Sequence, residues 1–354
     1  MNWQYWALLA VPLAFAAEAM HWGGVWVFVF AALALLPLAA WMGRATEELA
    51  ARAGSTVGGL LNATFGNAAE LIIAVIALNA GKIEVVKASI SGSLLSNLLL
   101  VLGLSIFLGG LRFHRQSFNR QSAGLLTTLL TLALVAFMLP AFFDLAERTF
   151  FGVSDPAPPD AAYSLAVAVV LIAVYLANLW FSLVSHRDLV GGREEEHEPE
   201  WSTALALAVL LASTVGVAFV SELLVGNIEA ATHALGLSEF FVGIIVIPLV
   251  GNAAEHLAAV TFAVRNKMDL AVQIAVGSSL QVALLVAPIL VIWGWTVGRP
   301  FDLVFHNPLE IAGLAASIVI TNAVVRDGET HWLEGVMLLG VYALLGFAFF
   351  YTPR

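Results

Sequence analysis

The chain has 354 residues, of which 60% are hydrophobic and 11% charged. So few charges over this length exclude a water-soluble domain and point to a polytopic protein embedded in a lipid bilayer. Asp and Glu (25) outnumber Lys and Arg (15), for a formal net charge of −10. That balance argues against nucleic acid, whose phosphates need clustered basic residues, and fits a cation. With no Cys, disulfides, thiolate metal sites and cysteine nucleophiles are excluded.

Eleven apolar stretches are long enough, or nearly so, to cross roughly 30 Å of hydrocarbon. They fall near 3–20, 24–43, 57–79, 85–109, 121–143, 162–185, 202–225, 237–264, 270–293, 308–326 and 331–351. Helices are expected, because every backbone group must be paired inside lipid and the runs are too long for barrel strands. The predicted fold class is therefore an all-α polytopic membrane protein of about eleven transmembrane helices. The N-terminus Met1-Asn2-Trp3-Gln4 has no basic region and no cleavage motif, so the first stretch reads as retained. Trp3, Trp22, Trp41, Trp201, Trp293 and Trp332 fall near segment ends, where amphipathic rings sit at the membrane interface.

Two connections stand out. Val153 to Asp160 is rich in Pro, and His186 to Glu200 is polar and ends in Glu194-Glu195-Glu196-His197-Glu198-Pro199-Glu200. An acidic run is most often a solvated loop. Here it reads as a linker between halves, with Glu194, Glu195, Glu196, Glu198 and Glu200 as candidates for a regulatory or cation-sensing patch. With the N-terminus in the cytoplasm, that side collects Arg44, Arg52, Arg112, Arg115, Arg120, Arg187, Arg193, Arg265, Lys267 and Arg326. The other side holds Lys82, Lys87, Arg148, Arg299 and Arg354. The excess favours a cytoplasmic N-terminus, and the expected location is a prokaryotic inner membrane.

One local sequence occurs twice. Gly66-Asn67-Ala68-Ala69-Glu70 returns as Gly251-Asn252-Ala253-Ala254-Glu255. The match continues without gaps: Lys82 aligns with Lys267, Glu84 with Asp269, and Gly92-Ser93 with Gly277-Ser278. Five helices separate equivalent positions, and five is odd, so the second copy must cross the membrane in the opposite sense. That is the inverted-repeat plan of secondary transporters, whose site lies near the midplane where the repeats meet. The expected organisation is an extra N-terminal helix over 1–23, a first five-helix repeat over 24–188, the acidic linker over 189–200 and a second repeat over 201–354.

The duplicated Glu carry the chemistry. An ionisable group at membrane depth costs from roughly 3 to more than 10 kcal/mol and marks a functional site by default. No Lys or Arg lies in the core of either carboxylate-bearing segment, so a structural ion pair is the weaker reading. Asn67 and Glu70 are three apart and share a helical face, as do Asn252 and Glu255. Ser93 and Ser278 follow on the next segments, with Ser96, Asn97 and Gln281 about one turn further on. Each of these neutral residues could instead be an ordinary interhelical hydrogen-bonding group. As a set they offer only oxygen, and an oxygen shell with two carboxylates suits a hard divalent cation, Ca²⁺ before Mg²⁺. His256 points about 100° away from Glu255 on an ideal helix and reads as a supporting or gating partner, as do Ser96 and Asn97. Glu222 is a candidate for lining an entrance. Gly66, Pro248 and Gly251 are expected to free backbone carbonyls beside the carboxylates. When the cation leaves, two carboxylates remain in a poorly hydrated site, and uptake of protons would neutralise them.

These motifs resemble those of the CAX family of Ca²⁺/H⁺ antiporters, within the calcium/cation antiporter superfamily. The likeness rests on Gly66-Asn67-Ala68-Ala69-Glu70-Leu71 with Gly92-Ser93-Leu94-Leu95-Ser96-Asn97. Its second half is Gly251-Asn252-Ala253-Ala254-Glu255-His256 with Gly277-Ser278-Ser279-Leu280-Gln281. The resemblance implies Ca²⁺ coordination at Glu70 and Glu255, with Asn67, Asn252, Ser93, Ser278 and Gln281 nearby. It also implies alternating access through movement of the first helices of each repeat. In sodium-driven relatives an acidic residue tends to stand near the position of Gln281, and the amide here favours protons. The expected partners are Ca²⁺ as transported substrate, H⁺ and the bilayer, with a homo-oligomer compatible. The alternatives are a Na⁺-coupled or broader cation antiporter, a cation channel, or an intramembrane hydrolase built on Ser93 and His256. A channel usually gains its carboxylate ring by oligomeric symmetry. A hydrolase leaves the duplicated Glu without a role, and no His-Glu-x-x-His pattern is present.

Overall fold

The structure, a computed structural model, describes residues 6–152, 157–186 and 199–352. Its helices in chain order are α1 (Ala10–Ala19), α2 (Gly24–Ala53), α3 (Ser55–Phe65), α4 (Ala68–Asn79), α5 (Ile83–Gly110), α6 (Arg120–Phe151) and α7 (Pro159–Ser185). There follow α8 (Thr203–Gly226), α9 (Ile228–Leu235), α10 (Glu239–Gly251), α11 (Ala253–Ala263), α12 (Met268–Thr296), α13 (Pro308–Val324) and α14 (Trp332–Phe350). Seven of these are long and apolar enough to cross a bilayer unaided: α2, α5, α6, α7, α8, α12 and α14. The remaining predicted crossings are the shorter α1 and α13 and two interrupted pairs, α3 with α4 and α10 with α11. Among the described residues the fold is all-helical apart from a two-residue clip, β1 (Gln116–Ser117) antiparallel to β2 (Glu329–Thr330).

The interruptions fall on the duplicated motif. Asn67 (φ −104°, ψ 26°) separates α3 from α4, and Asn252 (φ −93°, ψ 7°) separates α10 from α11. Pro248 lies just upstream of the second break and has no N–H to give the carbonyl of Ile244 four residues back. A π-helical stretch, Val242–Val246, precedes it. Sequence reading treats 237–264 as one span, but the chain is broken there, and α9 meets α10 at 111°.

α2 also departs from expectation. It runs 30 residues, beyond the apolar stretch that ends near 43, because Ala45 to Ala53 are mostly strong helix formers. Gly54, at φ +79°, then turns the chain in a conformation that favours glycine.

α5 and α12 are the most deeply buried of the seven long helices. Each contains a π-helical stretch, Ser96–Val101 in α5 and Val282–Val286 in α12. α2 and α8 lie along each other, and α14 packs on the second half of α5. Lipid removes most of the hydrophobic drive for helix association, so close packing of small residues matters more. At the α5–α14 contact, Gly103 faces the carbonyl of Gly335, and a side chain on Gly335 would meet the backbone of Phe107.

The halves are tied by reciprocal contacts. Arg112, after α5, donates to the carbonyl of Val264 at the end of α11 (3.2 Å). Arg299, after α12, donates to the carbonyl of Asn79 at the end of α4. Asn79 and Val264 stand 185 positions apart, the same offset as the motif. The last turn of each carboxylate-bearing helix is thus held by an Arg that follows the partner repeat's central helix.

Candidate cation site

The breaks place Glu70 and Glu255 in the first turns of α4 and α11, with the motif Asn at each N-cap position. Neither Asn caps its own helix with a side-chain hydrogen bond. Both reach into the other repeat. Asn67 Nδ2 donates to Gln281 Oε1 (2.5 Å), and Ser278 Oγ donates to Asn67 Oδ1 (3.0 Å). Asn252 Nδ2 donates to Ser93 Oγ (3.3 Å). Asn67, Asn252, Ser93 and Ser278 are all buried.

The carboxylates occupy the same junction. Glu70 packs on the backbone of Gly251, where an added Cβ would lie 3.5 Å from Glu70 Cγ. Glu70 and Glu255 are close enough to act on each other electrostatically, and Ser278 lies within hydrogen-bonding reach of Glu255. Three acceptors remain without a protein partner: Glu70 Oε2, Glu255 Oε2 and Asn252 Oδ1. A buried, unpaired carboxylate oxygen is costly. All three atoms are hard oxygens that a divalent cation would satisfy. Among the described residues no group of three or more Asp, Glu, His or Cys side chains gathers as a metal site. A bound cation would therefore draw on two carboxylates and on neutral oxygens from Asn, Ser, Gln, backbone or water.

Around this centre, His256 Nε2 lies 3.4 Å from Ser96 Oγ, with the Tyr342 hydroxyl beside Ser96. His256 thus faces the π-helical stretch of α5. Asn97 is buried and its Nδ2 has no partner. Glu222 stands apart, exposed on the outer face of α8. Glu194, Glu195, Glu196 and Glu198 lie outside the described residues. Glu200 is described, and pairs with Arg44 of α2 at 2.8 Å, next to Trp201 stacked on Trp41.

The junction is asymmetric. Gly92 on α5 faces the carbonyl of Ile244 and the ring of Pro248 so closely that no side chain would fit. The equivalent pair, Gly277 and Gly59, is apart. Among the described residues nothing approaches the Cβ direction of Gly277 within 4 Å, and Gly59 packs on Leu183 of α7. α3 rests on α2 and the end of α7. The molecule is therefore closed where α10 meets α5, and open where α3 would meet α12. At the closed end Lys82 pairs with Glu229 and with Glu239 (3.1 Å), and Trp293 Nε1 donates to Asn79 Oδ1 (3.1 Å).

Several buried charged groups escape a reading of motifs. Lys87 is buried in α5 and donates to Asp302 Oδ1 and to the carbonyl of Val304, both at 2.8 Å. Glu310 is buried in α13 and accepts from Ser91 Oγ at 2.5 Å. Asp144, Glu147 and Asp160 are buried near the same end. Each lies close to the end of an apolar stretch, where a charge looks interfacial. The one available signal for Glu310 was its place inside the stretch 308–326.

A family model described as sodium/calcium exchanger protein matches residues 23–184 and 205–351. The Ca²⁺/H⁺ antiporter of Synechocystis is 48% identical over 364 residues, covering 98% of this chain and 96% of the relative. The Ca²⁺/H⁺ antiporter ChaA of Bacillus subtilis is 42% identical, with 99% of each chain covered. Among solved structures, native YfkE superposes with a TM-score of 0.85 at 38% identity, over 99% of this chain and 100% of that one. The H⁺/Ca²⁺ exchanger CAX gives a TM-score of 0.73 over 99% of this chain and 92% of that one. At 13% identity it bears on the fold alone.

Proposed function

The chain belongs to the sodium/calcium exchanger protein family, and on that premise we propose that it exchanges Ca²⁺ for H⁺ across a membrane by alternating access. Glu70 and Glu255 are the shared Ca²⁺ ligands and proton acceptors. Asn67, Asn252, Ser93, Ser278 and Gln281 orient them or add neutral oxygens. The observation that carries this reading is the set of unpaired buried acceptors, Glu70 Oε2, Glu255 Oε2 and Asn252 Oδ1, where the two repeats meet. Relatives named as Ca²⁺/H⁺ antiporters, aligned over nearly the whole chain, support the choice of ions.

The cycle follows from charge balance. Two ionised carboxylates match one Ca²⁺. After its release they repel each other at short range in a poorly hydrated site, and two protons restore neutrality before the empty site returns. The repeats 24–188 and 201–354 supply one half-site each. With the N-terminus in the cytoplasm, as the Lys and Arg distribution favours, the open side next to α3 faces the cytoplasm. Closing α3 onto α12 and freeing α10 from α5 would expose the same oxygens to the other side. In a bacterium the natural setting is the cell membrane.

The Gln281 amide, engaged with Asn67, favours proton coupling over Na⁺ coupling, since no carboxylate stands there to charge-match extra Na⁺. The test is Ca²⁺ flux in reconstituted vesicles under an imposed pH gradient, for the wild type, Glu70→Gln and Glu255→Gln. Both variants are expected to lose proton-driven uptake. Substantial transport by either would remove that residue from the proposed site.

A further inference from the structure

We propose that Glu310 is a second proton-carrying residue, set on a polar line along the inner face of α13 and separate from the cation site. The inference rests on the antiport reading above and adds to it a route for protons.

Glu310 is 3% exposed and sits in the first turn of α13, three residues after the N-cap Asn307. Its hydrogen-bond donor is a neutral hydroxyl, Ser91. Opposing influences meet on it. Burial and the charge of Glu84 favour the neutral acid, whereas the Ser91 hydrogen bond, the helix N-terminus and nearby Lys87 favour the carboxylate. A relay group needs such a balance, because a small rearrangement then moves a proton on or off. Among the elements packed on α13, α5 presents Glu84 and Lys87. Among the described residues, α6 and α14 add no charged group that acts on it.

Polar groups continue in both directions. Toward the closed end, Lys87 bonds Asp302, and Asp302 lies beside Asp160, which gathers with Asp144 and Glu147. Glu147 Oε2 and Asp160 Oδ1 are buried there without a partner. Toward the interior, Ser317 and Thr321 follow Glu310 on the same buried face of α13, at spacings of seven and eleven residues. Thr321 Oγ1 donates to the carbonyl of Leu98 (3.4 Å). Leu98 belongs to the π-helical stretch of α5 that also carries Ser96 and Asn97. Ser91 and Ser93 point to different sides of α5, so α5 stands between Glu310 and the Asn252–Ser93 contact. These polar groups thus lie behind the helix that lines the cation site.

A purely structural role, joining α13 to α5, makes a different prediction. Gln at 310 still accepts the Ser91 hydrogen bond but cannot carry a proton. The full-length protein is reconstituted in vesicles, with isotopic Ca²⁺ uptake and a pH-sensitive dye read together, and with Ca²⁺-induced thermal stabilisation measured in detergent. Glu310→Gln is expected to keep the stabilisation by Ca²⁺ while losing at least about tenfold in proton-driven uptake, with proton release falling in step. Ser91→Ala is expected to move the pH profile of uptake. Wild-type rate and pH profile in Glu310→Gln overturn the proposal, and so does loss of Ca²⁺ stabilisation. Should Glu310→Gln fail to fold, an unchanged pH profile in Ser91→Ala overturns it. Retained transport in Glu70→Gln or Glu255→Gln would instead strike the proposed cation site, a separate failure.

Discussion

Asn67 of the first repeat donates a 2.5 Å hydrogen bond to Gln281 of the second, and the same Asn accepts from Ser278. One amide therefore couples the break in one repeat to the central helix of the other. Gln281→Glu would add a third negative charge to a junction that already holds two. Proton-driven Ca²⁺ uptake is expected to fall, because the empty site then needs one more cation to neutralise it. Flux measured with and without a Na⁺ gradient checks this, and a Na⁺ gradient is expected to restore part of the rate.

The Gly92–Ile244 contact sets the direction in which the molecule is closed. Gly92→Ala cannot be accommodated without moving α10, whereas Gly277→Ala meets no neighbour among the described residues. Gly92→Ala is expected to shift the population toward opening between α5 and α10, and Gly277→Ala to leave it unchanged. The sequence contains no Cys, so single cysteines placed on α3 and α10 would report accessibility without background. Equal labelling in the two variants would refute the assignment of the closed side.

Lys82 ties the loop after α4 to α9 and α10. Burial works to lower the pKa of its ammonium, but hydrogen bonds and charge from Glu229 and Glu239 outweigh it and hold the group above its ordinary value. A raised value means that this contribution is complete at neutral pH and is lost only as the pH climbs past the usual lysine range. Lys82→Met at pH 7 is expected to raise cysteine labelling at the closed end, and high salt to reproduce part of the effect.

Ca²⁺ should stabilise the fold by mass action, by about 2.7 kcal/mol at a free concentration near 100 times Kd. In the proposed cycle protons compete for the same carboxylates, so the stabilisation is expected to shrink as the pH falls. Glu70→Gln and Glu255→Gln should each remove most of it. Thermal unfolding in detergent with Ca²⁺ or a chelator, from pH 8 to pH 5.5, provides the measurement.

What the sequence reveals here, and what it hides, has a physical pattern. The motif Asn, Glu and Ser were legible because the same residues recur at the same spacing in two apolar stretches, where a carboxylate has no ordinary reason to be. Their crossed pairing, Asn67 with Ser278 and Asn252 with Ser93, follows from the fold and not from either stretch alone. Helix breaks at Asn67 and Asn252 were signalled by Gly66, Pro248 and Gly251, and the 111° bend before α10 falls where Gly236 ends α9 at φ +69° and the Ser238 hydroxyl caps α10. The buried pair Lys87–Asp302 and the acid Glu310 were hidden because charges near segment ends look solvated. Their burial depends on the loop at 297–307 folding back onto α5, a long-range event. Glu222, four residues before the end of α8, is exposed.

The matched grips of Arg112 on Val264 and Arg299 on Asn79 have a mechanical consequence. They anchor α11 and α4 at their far ends, and the motif amides pin their near ends. On the proposed cycle α3 and α10 would be the levers, each pivoting at an Asn. α3 has 11 residues and is about 16 Å long, so a tilt of about ten degrees carries its tip roughly 3 Å while its pivot hardly shifts. On the proposed alternating-access cycle the gates would swing without dismantling the oxygens at the fulcrum, and speed of turnover would become a matter of how readily two short rods change neighbours.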